Sequence, residues 1–149
     1  MDSIKKAVIG CDHGAFELKE KIRQYLVSSG YDIYDAGIKS ADVTADYPDI
    51  ASAACREFLA GGYSFGVLCC GTGIGISIAA NKIEGIRCAL LHSLFTAEMS
   101  KAHNNANFIA FGGRIKYSDS VEDMIKKFID TEYEGGRHDR RLFKISALE

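Results

Sequence analysis

No apolar run in this sequence approaches the ~20 residues that a membrane-spanning helix needs. The opening stretch, Met1-Asp2-Ser3-Ile4-Lys5-Lys6, leads only into the short run Ala7-Val8-Ile9, which reads as a strand and not as a signal peptide. Neither sign of charge dominates. The formal net charge is −2, so no global basic field exists to collect nucleic acid or an anionic membrane surface. The cysteines, Cys11, Cys55, Cys69, Cys70 and Cys88, are odd in number and contain no C-x-x-C pair. That argues against a disulfide framework and against a zinc site. Reduced thiols in a cytoplasmic protein are the simpler reading, with no metal expected. There is no internal repeat, no low-complexity segment and no linker, so residues 1–149 are read as one domain.

A chain of 149 residues buries roughly 70% of the surface its unfolded form exposes. It needs neither metal nor disulfide to hold a core. Short apolar runs alternate with helical patterns. Ala7-Val8-Ile9 predicts a buried strand. Leu18, Ile22 and Leu26 then fall on one helix face, and Gly30 marks the end of that helix. Tyr31 to Ala36 alternates as a second strand. A polar loop runs from Gly37 to Tyr47, and Pro48 stands where a first helical turn tolerates it. Ile50, Ala54 and Phe58 continue that helix until Gly61-Gly62. Phe65 to Cys70 predicts a third strand, Cys88 to Leu91 a fourth and Phe108 to Phe111 a fifth. Helices are predicted after Gly75, over roughly Leu94 to Ala102, and over Val121 to Ile129. The tail from Glu134 predicts a last short helix. Strands alternating with helices imply βαβ units and a parallel sheet covered on both faces. Ligands of such folds bind beyond the carboxyl ends of the strands, near a switch in strand order.

The informative polar clusters are read as strand-end clusters. After the first strand comes Gly10-Cys11-Asp12-His13-Gly14. An acid beside an imidazole shuttles a proton or holds a polar ligand, while the plainer alternative is Asp12 as a helix N-cap. After the third strand comes Cys69-Cys70-Gly71-Thr72-Gly73-Ile74-Gly75. Glycines let the backbone approach a ligand, and free N–H donors at the following helix start hold an anion, whether a phosphate or a developing enediolate. The dinucleotide fingerprint would need glycine where Ile76 stands, and no Gly-Lys-Ser/Thr follows to make a Walker loop. Cys70, at the mouth of this loop, is a base or a nucleophile as its thiolate. Cys69 is read as a buried strand residue. Thr72 either caps the helix or bonds a substrate hydroxyl. His103-Asn104-Asn105-Ala106-Asn107 offers an acid/base histidine in a polar setting, or a cation at a helix C-terminus. His92 is read as structural. Arg114, and Arg137 with Arg141 at i, i+4 on one helix face, carry planar forks suited to phosphate oxygens.

A base-competent thiol, an anion-holding loop, a histidine and an arginine cluster suit proton abstraction beside a carbonyl, with a phosphate handle. The residues alone leave a Cys–His hydrolase and a non-catalytic phosphate-binding regulator open.

Longer strings narrow this. Gly10-Cys11-Asp12-His13, Asp46-Tyr47-Pro48 and Cys70 through Lys82 resemble ribose-5-phosphate isomerase type B. So do Gly85-Ile86-Arg87, His103-Asn104, Phe111 through Arg114, and Tyr133 through His138. The resemblance runs nearly the whole chain and extends to galactose-6-phosphate isomerase subunits and to enzymes acting on allose 6-phosphate. It implies a Rossmann-like three-layer α/β/α sandwich with a five-stranded parallel sheet, no cofactor, no metal, and a homodimer, or a tetramer, with each active site shared between subunits. It implies Cys70 as proton acceptor between C1 and C2, and Gly71, Thr72, Gly73, Ile74 and Gly75 as the loop holding the enediolate oxygens, with Thr72 positioning a hydroxyl. It implies His103 as the ring-opening acid, assisted by Asp12. His13, Arg114, Arg137 and Arg141 are implied as ligand-binding, the arginines chiefly toward phosphate. Asn104 is implied on the sugar and Tyr47 in its pocket, and the role of His138 is left undefined. His103, Asn104, Arg137 and Arg141 would come from the partner subunit. One branch of the family replaces the cysteine with a later glutamate. Ile76, Ser77 and Ile78 offer none, so the cysteine branch is implied. Lys101, Asn105 and the order Gly14-Ala15 depart from the commoner family pattern.

Overall fold

The computed structural model describes residues 3–149; Met1 and Asp2, the start of the stretch read as leading into a strand, lie outside the described residues. Strands and helices alternate as β1 (Lys5–Cys11), α1 (Phe16–Ser28), β2 (Tyr31–Asp35), α2 (Tyr47–Leu59), β3 (Phe65–Cys70), α3 (Ile74–Ala80), β4 (Cys88–Leu90), α4 (Leu94–Ala102), β5 (Phe108–Gly112), α5 (Val121–Asp130) and α6 (Arg137–Ser146). Every strand pairing is parallel, and the order across the sheet is β2-β1-β3-β5-β4. The expected α/β sandwich is therefore present. The strand bounds differ slightly from the hydrophobic runs. β1 extends to Lys5 and Cys11 because both are paired, with Tyr31 and Cys69 respectively. Pairing sets a strand's length, and apolarity marks only its buried part.

Side chains alternate across a strand, and this divides the core in two. Ala7, Ile9, Cys11, Val67, Cys69, Ile109 and Phe111 face Ile22 and Leu26 of α1, Ala97 of α4 and Met124, Ile125 and Phe128 of α5. Val8, Leu68, Cys70, Phe108 and Ala110 face Ile50, Ala51 and Ala54 of α2 and Ile76 and Ala80 of α3. The adjacent thiols of Cys69 and Cys70 thus belong to opposite layers. Among the described residues no helix is long and apolar enough to cross a membrane.

One buried residue breaks the apolar pattern of α1. The Lys19 side chain is 0% exposed, and its Nζ donates to Asp35 Oδ2 at 2.6 Å and to the Ile38 carbonyl at 2.8 Å. Burial pulls the ammonium's pKa down, but the bonds to Asp35 and Glu20 outweigh it and hold the group above its ordinary value. The end of β2 and the turn after it are tied to α1 by this charge.

The β3–β5 register is keyed by a notch. Gly66 lies opposite Phe108, and a Cβ on Gly66 would stand 2.1 Å from the Phe108 ring. The ring is fully buried and packs edge-on to Phe58 at 5.1 Å, so it has nowhere to retreat. Gly66→Ala is expected to lower stability by about 2 kcal/mol, read as a drop in urea midpoint. Adding Phe108→Leu should recover part of the loss. An unchanged midpoint in the single variant would show that the ring yields freely.

Candidate active site

The chain leaving β1 passes outward to β2, while β3 lies on β1's other side and leads away toward β5 and β4. Strand order therefore reverses between β1 and β3, which is where open α/β sheets form a crevice. The register pairs Cys11 with Cys69, so Asp12 and Cys70 leave the sheet side by side. The Asp12 N–H donates to the Cys69 carbonyl at 3.3 Å. Its own carboxylate accepts from the Gly14 N–H at 2.8 Å. Asp12 is thus a loop-turn acid and not the helix N-cap of the plainer reading; Ala15 holds that position, with no side-chain cap. His13 is exposed, with Nδ1 3.2 Å from the Ala45 carbonyl. The Tyr47 ring lies against the glycine loop: a Cβ on Gly75 would come within 2.7 Å of it.

The loop after β3 closes over Cys70. Gly73 takes a left-handed φ of 80°, and a Cβ there would stand 2.7 Å from Leu90 and 2.8 Å from the Phe111 backbone. Glycine is required on both counts. The turn brings the Gly73 N–H to Cys70 Sγ at 3.2 Å. Cys70 is only 4% exposed, yet its sulfur meets this one loop amide. Thr72 Oγ1 accepts the Ile74 N–H at 3.2 Å as a turn contact from outside the helix, whose N-cap is Gly73 without a side-chain cap, and the residue itself stays exposed. Burial pushes the thiols of Cys11 and Cys55 up to about 12, and it raises those of Cys69 and Cys88 as well. Those four are held as neutral core thiols.

The loop after β5 locks this arrangement from the other side. The Gly113 N–H donates to the Cys70 carbonyl at 2.8 Å and the Arg114 N–H to the Gly71 carbonyl at 2.9 Å. Tyr117 Oη accepts the Gly112 N–H at 2.8 Å. The Arg114 guanidinium lies over Gly71, 3.1 Å from where a Cβ would be. Asp12, His13, Tyr47, Cys70 through Gly75 and Arg114 therefore meet at the carboxyl edge of the sheet.

His103, Asn104, Arg137, His138 and Arg141 do not join them. From the sequence pattern the His103–Asn107 cluster was read with the other strand-end clusters. It sits instead at the amino edge, because α4 runs back against the strand direction before the chain enters β5. The Asn107 carbonyl accepts the Gly66 N–H there. Register runs from Gly66 opposite Phe108 to Cys70 opposite Gly112, so about 13 Å of strand separate the two levels. At this amino edge the His103 and His138 rings stack at 4.3 Å and 18°. Glu134 Oε2 lies 3.3 Å from His138 Nε2 and 3.8 Å from His103 Nε2. Arg137 Nε stands 3.4 Å from His138 Nε2. Asn104, Arg137 and Arg141 are exposed.

Two residues of this edge went unassigned in the sequence. Glu134 is four residues before His138, a spacing that could have suggested the contact. Arg87 gave no local signal, since its guanidinium reaches the carbonyls of Asn104 at 3.0 Å and Asn105 at 2.8 Å, 17 and 18 positions on. It staples the turn that carries His103. In that turn Asn105 has φ 43°, a conformation asparagine tolerates better than most residues. A cleft of about 770 Å³ lies elsewhere, along edge strand β4 and under α6, lined by Leu90, Phe95, Met99, Asn104, Ile145 and Leu148 among others.

Fold and site define an α/β protein with a nearly buried thiol beside a glycine loop at the switch in strand order. Residues 7–145 match the ribose/galactose isomerase family. Ribose-5-phosphate isomerase B of Escherichia coli (strain K12) is 40% identical over 98% of this chain and 97% of its own. Galactose-6-phosphate isomerase subunit LacB of Clostridium acetobutylicum is 40% identical over 91% of this chain and 78% of its own. The solved ribose 5-phosphate isomerase of Thermotoga maritima superposes with a TM-score of 0.92 at 41% identity, covering 97% of this chain and 99% of that one. The type B enzyme of Trypanosoma brucei gives 0.91 at 39%, covering 99% and 100%. The chain belongs to the ribose/galactose isomerase family.

Gly73→Ala is expected to destabilise the fold by about 1–2 kcal/mol from the left-handed backbone alone, and to speed alkylation of Cys70 by disturbing its cover. In the native protein, iodoacetamide mapped by mass spectrometry should mark Cys70 before the four other thiols. First labelling at Cys88 would remove the basis for singling Cys70 out.

Proposed function

We propose that this chain is a cytoplasmic, metal-independent aldose–ketose isomerase that interconverts ribose 5-phosphate and ribulose 5-phosphate in the non-oxidative pentose phosphate pathway. The observation that carries the reading is the Cys70 sulfur, turned toward the Gly73 N–H at 3.2 Å at the β1–β3 switch, where a sugar carbon can lie against both. The relatives named as ribose 5-phosphate isomerases, matched over nearly their whole length, support the substrate.

The chemistry follows from that placement. Cys70, as thiolate, takes the proton from C2 of the open-chain aldose. The C–H electron pair forms the C1–C2 double bond, and the C1 carbonyl pair moves onto its oxygen. The Gly71–Gly75 amides stabilise that oxyanion of the cis-enediolate, with Thr72 on a substrate hydroxyl. The proton returns from sulfur to C1 while a proton passes from O2 to O1, leaving the ketose. Before this, the furanose opens: the C1–ring-oxygen bond breaks, His103 gives its proton to the ring oxygen, and the anomeric hydroxyl releases its own proton as the C1 carbonyl forms, with Asp12 assisting. Arg114, Arg137, Arg141 and His13 hold the phosphate, Asn104 a sugar hydroxyl, and Tyr47 lines the pocket. Phosphate binding keeps the reacting carbons in register.

His103, Asn104, Arg137 and Arg141 stand at the sheet edge opposite Cys70, so one chain does not complete the site. Each site is drawn from two subunits of a homodimer. The cleft along β4 and the exposed Phe95, Phe143 and Leu148, which are 68, 75 and 86% exposed, offer apolar surface for a second copy.

Ribose 5-phosphate turnover in the presence of a chelator is the first test, with faster turnover of galactose or allose 6-phosphate reassigning the substrate. Cys70→Ser is expected to cut turnover by about 10²–10⁴-fold and to stop solvent exchange of the C2 proton, with substrate affinity kept. Retained exchange would dismiss Cys70 as base. His103→Asn is expected to slow the cyclic substrate more than an open-chain analogue. Mixing the two variants with subunit exchange should bring activity on the cyclic substrate up to about a quarter of wild type, since half the dimers carry one intact site. No recovery would place both residues in one subunit's site.

A further inference from the structure

Among the described residues, one group of metal-ligating atoms converges: His103, Glu134 and His138, whose nitrogens and carboxylate oxygen all lie within 4.8 Å of one another. We infer that this trio binds a divalent ion of the zinc class, and that occupancy silences the enzyme by taking His103 out of proton transfer. The second half rests on the isomerase reading above; the site itself rests on geometry alone.

Three separate pieces of chain build the cluster: the end of α4, the segment before α6, and α6 itself. The Glu134 N–H donates to the Ala102 carbonyl at 3.0 Å, which holds the segment carrying Glu134 beside the end of α4. Zinc bonds of 2.0–2.1 Å in a tetrahedron put ligand atoms about 3.3–3.4 Å apart. Glu134 and His138 already meet that spacing at 3.3 Å, and Glu134 to His103 exceeds it modestly at 3.8 Å. The two rings are near parallel, so their lone pairs run side by side and must be turned inward. Ring rotation at χ2 is soft. His138 is the fixed point, its side chain 7% exposed, whereas His103 and Glu134 are 34 and 55% exposed and free to close in.

The donor set selects the ion. Two imidazoles and one carboxylate are ordinary zinc, cobalt and nickel ligands, while calcium and magnesium prefer oxygen alone. Three protein ligands leave a fourth position for water. Binding releases any proton held by the imidazoles. It also displaces the Arg137 guanidinium from His138, where it now lies 3.4 Å away. Occupancy therefore disturbs a phosphate-binding arginine as well as the ring-opening acid.

The test is titration of chelator-stripped protein with Co²⁺, read by its visible absorption. One equivalent per chain is expected, displaced by Zn²⁺, abolished in Glu134→Gln and in His138→Gln, and kept in Cys70→Ser. Absent bands, bands surviving in both ligand variants, or bands lost in Cys70→Ser would overturn the site. Zn²⁺ should also inhibit wild-type isomerisation reversibly. In Glu134→Gln, compared with its own metal-free rate, half-inhibition should need about 10-fold more zinc or beyond. Equal sensitivity of the two proteins would overturn the inhibitory role. A metal-free wild-type protein without isomerase activity would instead sink the functional reading and leave the cobalt result standing.

Discussion

The backbones of two loops meet so closely at the carboxyl edge that no side chain fits between them, and the candidate site depends on this. Gly113 and Arg114 donate to the carbonyls of Cys70 and Gly71, and a Cβ on Gly112 would stand 2.6 Å from Thr72. The third loop joins in the same manner, for a Cβ on Gly113 would stand 2.6 Å from the Gly14 carbonyl. These are main-chain contacts, so they fix atoms that no rotamer change can move. The Gly73 amide inherits its place beside the Cys70 sulfur from them. Held by side chains alone, the Gly73 amide would have several positions relative to that sulfur, and an oxyanion site needs one.

The amino edge is organised by different forces. There the turn after α4 is held by a guanidinium on carbonyls, and the histidines are held by stacking and by a shared carboxylate. Charge and hydrogen bonds do the work that close packing does at the other edge. Polar contacts of this kind are adjustable, which suits the proton-donating and phosphate-binding roles proposed for these groups.

Much of this was legible in the amino-acid order. Apolar runs marked all five strands, and glycines such as Gly30 and Gly61 marked helix ends where the structure shows φ of 90° and 104°. Cys70, Asp12, His13 and Arg114 were found because each stands at or just beyond the carboxyl end of a strand. The division of the candidate residues between two edges was not legible in local pattern, because it depends on α4 running back across the sheet. Only the resemblance assigned His103 to a partner subunit. Lys19 was missed for a related reason. A lysine on an amphipathic helix reads as solvated, and its acceptors, Asp35 and Ile38, lie on a strand and a turn that only the fold brings near. Glu134 and Arg87 act through contacts that spacing alone does not rank above surface charges.

The notch at Gly66 has a meaning for how such sequences drift. The space there is shared between the backbone of one strand and the ring of another, forty-odd positions away along the chain. Neither position is free to change alone: a bulkier residue at 66 is tolerable only with a smaller one at 108. Among descendants of this chain the two sites should be inherited as a matched pair of sizes, tied by volume and by nothing chemical.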